Sequence, residues 1–251
     1  MAKFRLFGLI GYPLGHSFSQ RYFTNKFEQE GTNAKYNKFE IQSIDALNDI
    51  LDSNPDLAGL NVTLPHKEAV LPFLTDINEE AKAIGAVNVI KISQDENGQR
   101  QLVGYNSDYY GFSNSIRPLL SPDVHTKALV LGVGGASKAI VYGLRKLGLE
   151  VHLVSRRKTE NTIVYEELNE DIMKEYTVIV NCTPLGTFPN VEEAVNIPYQ
   201  YLRPRHLLYD VVYNPEVTTF LRRGQEAGAQ IKNGAEMLEL QAIRSWEIWN
   251  Q

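Results

Sequence analysis

Strand-like runs and helix-periodic segments take turns along the N-terminal part of the chain. Residues 4–11, 35–41 and 57–62 have the apolar or alternating pattern of strands. Apolar positions at helical spacing follow each of them, to about residue 30, over 43–51 and from about 65. Two further strands are predicted at 87–92 and 101–104, joined by the turn Asp95-Glu96-Asn97-Gly98. This alternation predicts an α/β domain with a mostly parallel sheet.

A second α/β unit is predicted after a break at Ser121-Pro122-Asp123, which follows a helix from about residue 106 to 120. Short apolar runs, typical of parallel strands buried on both faces, lie at 128–131, 150–154, 162–164, 177–181, 207–212 and 230–231. One helix is predicted after the strand 128–131, ending near residue 148, and two more are predicted over 215–227 and 234–249. We therefore predict two α/β domains with a cleft between them. One is residues 1–106 with a returning helix at 235–251, and the other is residues 107–234.

A glycine-rich turn joins the strand 128–131 to a helical segment that ends near Gly148. The turn consists of Gly132, Val133, Gly134, Gly135, Ala136 and Ser137. Backbone amides at a helix start, with the positive end of the helix dipole, favour a pyrophosphate, and a side chain at Gly132 or Gly134 would block its approach. Ser137 stands where the usual fingerprint has its third glycine. Strand, turn and helix together predict a Rossmann-type dinucleotide site, whereas a purely structural turn is the alternative.

The strand after the glycine turn ends in Ser155-Arg156-Arg157-Lys158. In NAD sites a carboxylate about 20 residues past the glycines binds the ribose hydroxyls, and this segment has none. Cations here suit a 2′-phosphate, and arginine also stacks on adenine. The segment therefore favours NADP over NAD, with a solvated basic loop as the alternative.

Composition narrows the class of protein. The 251 residues are 43% hydrophobic and 22% charged, as in soluble globular proteins, and the net charge of −5 gives no reason to expect nucleic acid or an acidic membrane surface. The apolar N-terminal run is interrupted by Gly8, Gly11 and Pro13, which indicates a core strand rather than a signal peptide. The single cysteine, Cys182, excludes an internal disulfide framework. We expect a cytoplasmic protein with a small-molecule substrate and no membrane or nucleic-acid partner.

Lys67 lies in the first turn of a predicted helix, where the helix dipole disfavours a cation. That placement hints at a chemical role, although most exposed lysines are inert.

A series of motifs along almost the whole chain resembles the shikimate dehydrogenase family. In order they are HSFS at 16–19, NVTLPHK at 61–67, GAVN at 85–88, NSDYYG at 106–111, GVGGAS at 132–137, NCTPLG at 181–186 and NGAEMLELQ at 233–241. The resemblance implies a substrate domain, an NADP domain, and reversible reduction of 3-dehydroshikimate to shikimate by NADPH in aromatic amino-acid biosynthesis.

The resemblance also implies roles for individual residues. Lys67 and Asp108 would be the catalytic pair, since ketone reduction needs a proton donor and a lysine can serve when its surroundings tune its pKa. The substrate carboxylate would contact Ser17, Ser19 and Tyr213. The ring hydroxyls would contact Thr63, Asn88, Asp108 and Gln241. The coenzyme would contact Gly132, Gly134, Gly135, Ala136, Ser155, Arg156, Arg157, Thr183 and Gly234, the last near the nicotinamide.

Each candidate has a structural alternative. Ser17 could simply cap the next helix, Asn88 could be a turn residue and Gln241 could lie on the surface of the last helix. No metal is required, and the histidines lack ligand spacing. A quinate/shikimate dehydrogenase of broader specificity and a non-catalytic NADP-binding sensor are the rival functions. The protein is expected to be a monomer or a homodimer.

Overall fold

The structure, a computed structural model, describes residues 3–15 and 17–251. The chain divides into two compact units, one of Met1–Ser107 with Gln241–Gln251 and the other of Asp108–Leu240. Each unit is built on a six-stranded sheet, which confirms the predicted α/β class. The first unit resumes at residue 241, whereas the sequence pattern placed its return at 235.

The sheet of the first unit is mixed. Its strands are β1 (Arg5–Gly11), β2 (Ala34–Glu40), β3 (Leu57–Val62), β4 (Asp76–Ile77), β5 (Val89–Gln94) and β6 (Arg100–Tyr105), in the spatial order β2-β1-β3-β5-β6-β4. Parallel pairings (β1 with β2 and β3, β4 with β6) outnumber the antiparallel ones (β5 with β3 and β6). The reversal follows from the short β5–β6 turn, where Asp95 Oδ1 accepts from the amides of Asn97 and Gln99 and Gly98 has φ +78°.

The helices of the first unit are α1 (Phe18–Glu30), α2 (Leu47–Ser53), α3 (His66–Ala69) and α4 (Glu79–Ile84). Side-chain caps and left-handed glycines set several of their ends: Ser17 and Asn78 cap α1 and α4, and Gly31 and Gly85 end them. The segment predicted as a helix at 43–51 begins with a 3₁₀ turn, Ile44–Ala46. The short elements α4 and β4 were not predicted.

Aromatic side chains fill one face of the first sheet. Phe7 stacks on Trp249, with ring centroids 4.7 Å apart, and Phe23 stacks on Tyr36 at 4.9 Å. Trp249 donates from Nε1 to the carbonyl of Ile90 at 3.0 Å. The last turn of the chain's final helix therefore completes this core.

The sheet of the second unit is parallel throughout. Its strands are β7 (Lys127–Leu131), β8 (Glu150–Ser155), β9 (Thr162–Val164), β10 (Val178–Asn181), β11 (Leu207–Asp210) and β12 (Gln230–Lys232). They lie in the order β12-β11-β10-β7-β8-β9, with every pairing parallel. This is the strand order of a doubly wound dinucleotide-binding fold, and it reverses between β7 and β10.

The helices that begin in the second unit are α5 (Asp108–Ile116), α6 (Gly135–Lys146), α7 (Glu170–Glu175), α8 (Thr219–Glu226) and α9 (Ala235–Trp249), and α9 ends in the first unit. Helix α8 begins later than the predicted residue 215, because the side chain of Thr218 caps it by accepting from the amide of Leu221. The sequence pattern missed the short helix α7. None of the helices in the described part of the chain is long and apolar enough to cross a bilayer.

Helices α5 and α6 approach closely at Gly143. A Cβ at this glycine would lie 2.6 Å from Ser113 Oγ and 3.2 Å from a ring carbon of Phe112. Ser113 Oγ is buried without a hydrogen-bond partner among the described residues. The glycine thus serves helix packing, at the cost of a helix interior position that alanine would otherwise favour.

We predict that Gly143→Ala lowers the free energy of unfolding by about 1–3 kcal/mol, because the added methyl group overpacks the α5–α6 contact. Ser113→Ala should relieve most of that loss, since it removes the nearest atom together with an unpaired buried hydroxyl. Urea unfolding of both single variants and the double variant measures this coupling. An equal cost of Gly143→Ala with serine or alanine at position 113 would contradict it.

Candidate active and coenzyme sites

In the first unit, the loops that follow β1 and β3 are joined at the carboxyl edge of the sheet. The amide of Thr63 donates to the carbonyl of Ile10, and the amide of Tyr12 donates to the carbonyl of Leu64, each at 2.9 Å. A Cβ at Gly11 would lie 2.4 Å from Thr63 Cγ2, so glycine is needed for this approach. Thr63 is thereby held at the edge where α/β folds place ligands.

Lys67 is fixed through its backbone and through its neighbour. The imidazole of the buried His66 donates from Nε2 to the carbonyl of Ile41 at 2.7 Å; a carbonyl only accepts, so Nε2 carries the proton. The carbonyl of Lys67 accepts from the amide of Val87 at 2.8 Å, which ties α3 to the segment that leads into Asn88. The half-buried Lys67 therefore begins from a well-defined backbone position.

The buried side chain of Asn88 is committed to Ser107. Its Nδ2 donates to Ser107 Oγ at 3.1 Å, and its Oδ1 accepts from the amide of Ser107 at 2.6 Å. Asn88 thus has a structural role, although through Ser107 rather than as the turn residue expected as its alternative, and it fixes the backbone one residue before the buried Asp108. One amide hydrogen and one oxygen lone pair of Asn88 have capacity for a further partner.

Ser17 caps α1 by accepting from the amide of Gln20 at 3.3 Å, so its structural alternative is also realised. Its hydroxyl can still donate, as binding a carboxylate would require. Ser19 lies beside the buried hydroxyl of Tyr36: burial raises the pKa of that phenol, and the hydrogen bond with Ser19 acts in the opposite direction. His16 lies outside the described residues.

A chain of hydrogen bonds that the sequence did not reveal links the predicted substrate segments of the first unit. Tyr36 Oη donates to Asn61 Oδ1 at 2.7 Å, and Asn61 Nδ2 donates to Ser245 Oγ at 2.9 Å. Ser245 in turn donates to the carbonyl of Gln241 at 2.8 Å. Asn61 thereby connects the strand that leads to Thr63 with the helix that carries Gln241. The only sequence signal for Asn61 was its place in the motif at 61–67.

In the second unit, the glycine turn lies at the carboxyl end of β7. Gly132 has φ +100°, and its Cβ would lie 2.9 Å from Thr183 Cγ2, so conformation and space both require glycine. Gly134 differs, because a Cβ there would meet no described atom within 4 Å. Open space above a helix N-terminus suits a pyrophosphate, so the residues present fit a dinucleotide. Gly135 and Ala136 begin α6.

Ser137, at the position of the missing third glycine, closes the glycine turn. Its hydroxyl donates to the carbonyl of Gly134 at 2.7 Å and accepts from the Gly134 amide at 2.8 Å. The serine side chain therefore stabilises the first turn of α6 from within.

The basic segment after β8 contains residues with different roles. Ser155 is buried and hydrogen-bonded to the backbone of Arg157, so it shapes the turn. Lys158 forms an ion pair with Glu167. Arg156 and Arg157 are exposed and have no carboxylate within ion-pair distance among the described residues, so both guanidinium groups are available to a phosphate.

A buried polar cluster at the ends of β10 and β11 holds Thr183. Asn181 Oδ1 accepts from the amide of Thr183 at 3.0 Å and from its hydroxyl at 2.7 Å, while Asn181 Nδ2 donates to Asp210 Oδ1 at 3.0 Å. Burial raises the pKa of Asp210 to about 6, although hydrogen bonds from Thr218, Val212 and Asn181 act to lower it. Burial also raises the pKa of the neighbouring Cys182 thiol.

The last two predicted contacts lie beyond β11. Tyr213 is 42% exposed. Gly234 is buried, and a Cβ there would lie 2.2 Å from the carbonyl oxygen of Val211, so backbone packing by itself demands glycine at this position.

Comparison with known proteins identifies the family to which these motifs belong. A family model described as shikimate dehydrogenase substrate binding domain matches residues 9–90. The chain is 36% identical to the shikimate dehydrogenase (NADP(+)) of Aquifex aeolicus, over 99% of this chain and 92% of that protein. The chain belongs to the shikimate dehydrogenase family. Among solved structures of this fold, shikimate 5-dehydrogenase of Thermus thermophilus in complex with NADP(H) and shikimate aligns with a TM-score of 0.82 and 29% identity, covering 98% of this chain and 93% of that one.

The fold also occurs in an enzyme named for another substrate. The 5-ketofructose reductase of a Gluconobacter species aligns with a TM-score of 0.80 and 28% identity, over 98% of this chain and 93% of that one. Membership of the shikimate dehydrogenase family rests on the more similar relatives, and the choice of substrate has to be argued from individual residues.

Proposed function

We propose that the protein catalyses the reversible reduction of 3-dehydroshikimate to shikimate with NADPH, in the cytoplasm. The observation that carries this assignment is similarity over almost the whole chain to enzymes of that name, including one solved with NADP(H) and shikimate. We assign substrate binding to the first unit and coenzyme binding to the second. The match of the substrate-binding family model to residues 9–90, all within Met1–Ser107, supports the first assignment.

Ketone reduction places negative charge on the carbonyl oxygen, which must receive a proton. NADPH supplies the hydride when it is bound. Lys67 donates the proton to that oxygen in reduction and takes it back in oxidation, and Asp108 holds the ammonium and a substrate hydroxyl. The hydrogen bonds that fix His66 and the Lys67 carbonyl support a defined position for this group.

Recognition of the substrate is assigned to polar side chains. Ser17, Ser19 and Tyr213 bind the carboxylate, and Thr63, Asn88 and Gln241 bind ring hydroxyls. The hydroxyl of Ser17 and the amide of Asn88 retain hydrogen-bonding capacity beyond their observed partners. Polar groups left unpaired by a poorer substrate would make such a site selective.

We predict that Lys67→Ala lowers kcat by about 10²–10⁴-fold, because general acid–base catalysis contributes about that much. The Kd for NADP should stay within about twofold, as should kcat of the control Lys82→Ala, an exposed lysine in the same unit. Steady-state rates of shikimate-dependent NADPH formation and equilibrium NADP titration measure these quantities. Unchanged turnover of Lys67→Ala would remove this lysine from the mechanism. A parent protein that binds NADP without turnover would instead be the sensor.

The coenzyme preference has its own test. Arg156→Ala and Arg157→Ala should each weaken NADP binding by about tenfold or more, since a charge-assisted bond to the 2′-phosphate is lost, and should leave NAD binding nearly unchanged. Lys158→Ala is the matched control, because its ammonium is already paired with Glu167. KM values for both coenzymes measure the difference. An equal effect of all three substitutions on NADP would point to general surface charge.

Two positions in the glycine turn allow its role in packing and its role in coenzyme binding to be tested separately. Gly134→Ala should change the free energy of unfolding by less than about 1 kcal/mol and weaken NADP binding by about tenfold or more, since the added methyl enters open space that the pyrophosphate would occupy. Gly132→Ala should cost stability in the absence of coenzyme, because of its positive φ and its contact with Thr183. Thermal unfolding with and without NADP distinguishes the two. Normal NADP affinity of Gly134→Ala would refute the phosphate site.

The second candidate function is a dehydrogenase of broader substrate specificity, which the similarity to the Gluconobacter reductase favours. Rates with shikimate and quinate, and with 5-ketofructose in the reducing direction, compare the three. A kcat/KM for quinate or 5-ketofructose comparable with that for the shikimate couple would replace the narrow assignment with a broader one.

A further inference from the structure

We propose that Asp210 is a positioning residue for the coenzyme, acting through Asn181 and Thr218 to hold the loop of residues 182–186 against the glycine turn. This inference rests on the proposed NADP-dependent function and adds a residue to it. Asp210 itself lies at the end of β11, and its hydrogen-bond partners among the described residues, Asn181, Val212 and Thr218, are not among the predicted coenzyme residues.

The carboxylate of Asp210 is fully buried, with 0% of the residue exposed. Its Oδ1 accepts from Asn181 Nδ2 at 3.0 Å and from the amide of Val212 at 3.1 Å, and its Oδ2 accepts from Thr218 Oγ1 at 2.6 Å. No lysine, arginine or histidine among the described residues forms an ion pair with it. A buried carboxylate without a cation costs stability, so fold stability alone does not account for it.

The donor and acceptor roles in this cluster are fixed. Asn181 Oδ1 must be the acceptor for Thr183, since the Thr183 amide only donates. The amide nitrogen of Asn181 therefore faces Asp210, and the carboxylate is what keeps it there. If the Asn181 side chain turned over, its NH₂ group would oppose the N–H of Thr183.

The other carboxylate oxygen binds Thr218, which lies near the far end of the loop. Thr218 Oγ1 accepts from the amide of Leu221 at 3.3 Å, which leaves its proton for Asp210. The same threonine packs under Gly186, whose Cβ would lie 3.4 Å from Thr218 Cβ. One buried carboxylate thus binds both Asn181, which holds Thr183, and Thr218, which lies next to Gly186.

The position of Thr183 matters because it borders the glycine turn. Its methyl group is the nearest atom to the missing Cβ of Gly132, at 2.9 Å, and β10 and β7 are adjacent parallel strands with Asn181 opposite Leu131. Loosening Asn181 therefore changes the wall of the space that the pyrophosphate and the nicotinamide half of NADP would occupy. The Ser155–Arg157 end, which would hold the 2′-phosphate, follows a different strand, β8.

The test compares Asp210→Asn and Asn181→Ala with Tyr209→Phe. Tyr209 precedes Asp210 on β11 and makes a buried hydrogen bond with Ser115 at 2.7 Å, so the control also removes one buried polar contact from the same strand. Asp210→Asn and Asn181→Ala should raise the Kd and KM for NADP by about tenfold, the effect of one lost buried hydrogen bond, and leave the KM for shikimate within about twofold. The Kd of adenosine 2′-monophosphate should not change. Tyr209→Phe should lower Tm without moving the NADP constants.

The double variant Asp210→Asn/Asn181→Ala should bind NADP less weakly than the two single effects together would give, because Asn181→Ala already breaks one of the two branches and only the hydrogen bond to Thr218 is left for Asp210→Asn to change. If Asp210→Asn does not fold, Thr218→Val and Thr218→Ser test the role of the Asp210–Thr218 hydrogen bond in NADP binding instead. Valine removes the hydroxyl and should weaken NADP binding, whereas serine keeps it and should restore binding.

Several outcomes would overturn the role of Asp210. They are additive effects of the two substitutions, NADP constants of Asp210→Asn or Asn181→Ala that match those of Tyr209→Phe, and equal NADP binding by Thr218→Val and Thr218→Ser. Equilibrium NADP binding needs no turnover. A parent that binds NADP but does not oxidise shikimate would therefore count against the proposed function and leave the inference testable.

Discussion

Buried and half-buried polar side chains at strand ends must be satisfied by one another, and this constraint determines both candidate sites. In the first unit Asn61 meets it with Tyr36 and Ser245, and Asn88 meets it with Ser107. In the second unit Asn181 meets it with Thr183 and Asp210. An amide accepts on one side and donates on the other, so Asn61 and Asn181 each fix two neighbours, whereas Asn88 fixes Ser107 through both its backbone amide and its hydroxyl. The loops that would hold ligands therefore inherit a defined position from groups beneath them.

Several residues have a structural role where the sequence suggested a choice between structure and chemistry. Ser17 caps a helix and keeps a hydroxyl proton, and Asn88 holds Ser107 and keeps part of its amide. The structural contact restricts the rotamer and so reduces the entropy that would be lost when a ligand binds. Gly234 is different, because close contact with the Val211 carbonyl explains the glycine without any ligand.

Local pattern was enough to predict most elements. The strands of the second unit are continuous apolar runs, and the glycine turn followed directly from Gly132, Gly134 and the helical spacing behind them. Helices α4 and α7 were not predicted because each has 6 residues, too few to show a helical period. The hydrogen-bond partners of Asn61 were not predicted for another reason. Ser245 is 184 positions away in the chain, and no local sequence pattern indicates such a contact. Asp210 was not singled out because it lies inside the predicted strand 207–212, and no local pattern shows which side chains a carboxylate in a strand will contact.

The aromatic core of the first unit joins the two ends of the described chain. Phe7 lies in the first strand and Trp249 in the last helical turn, and their rings stack. On a ribosome, which releases the chain from its N-terminus onward, the first unit cannot bury Phe7 against its final partner until Trp249 has emerged. The second unit, whose sheet strands all lie between residues 127 and 232, faces no such delay. In vectorial synthesis, the unit that is translated first is therefore the one that finishes folding last.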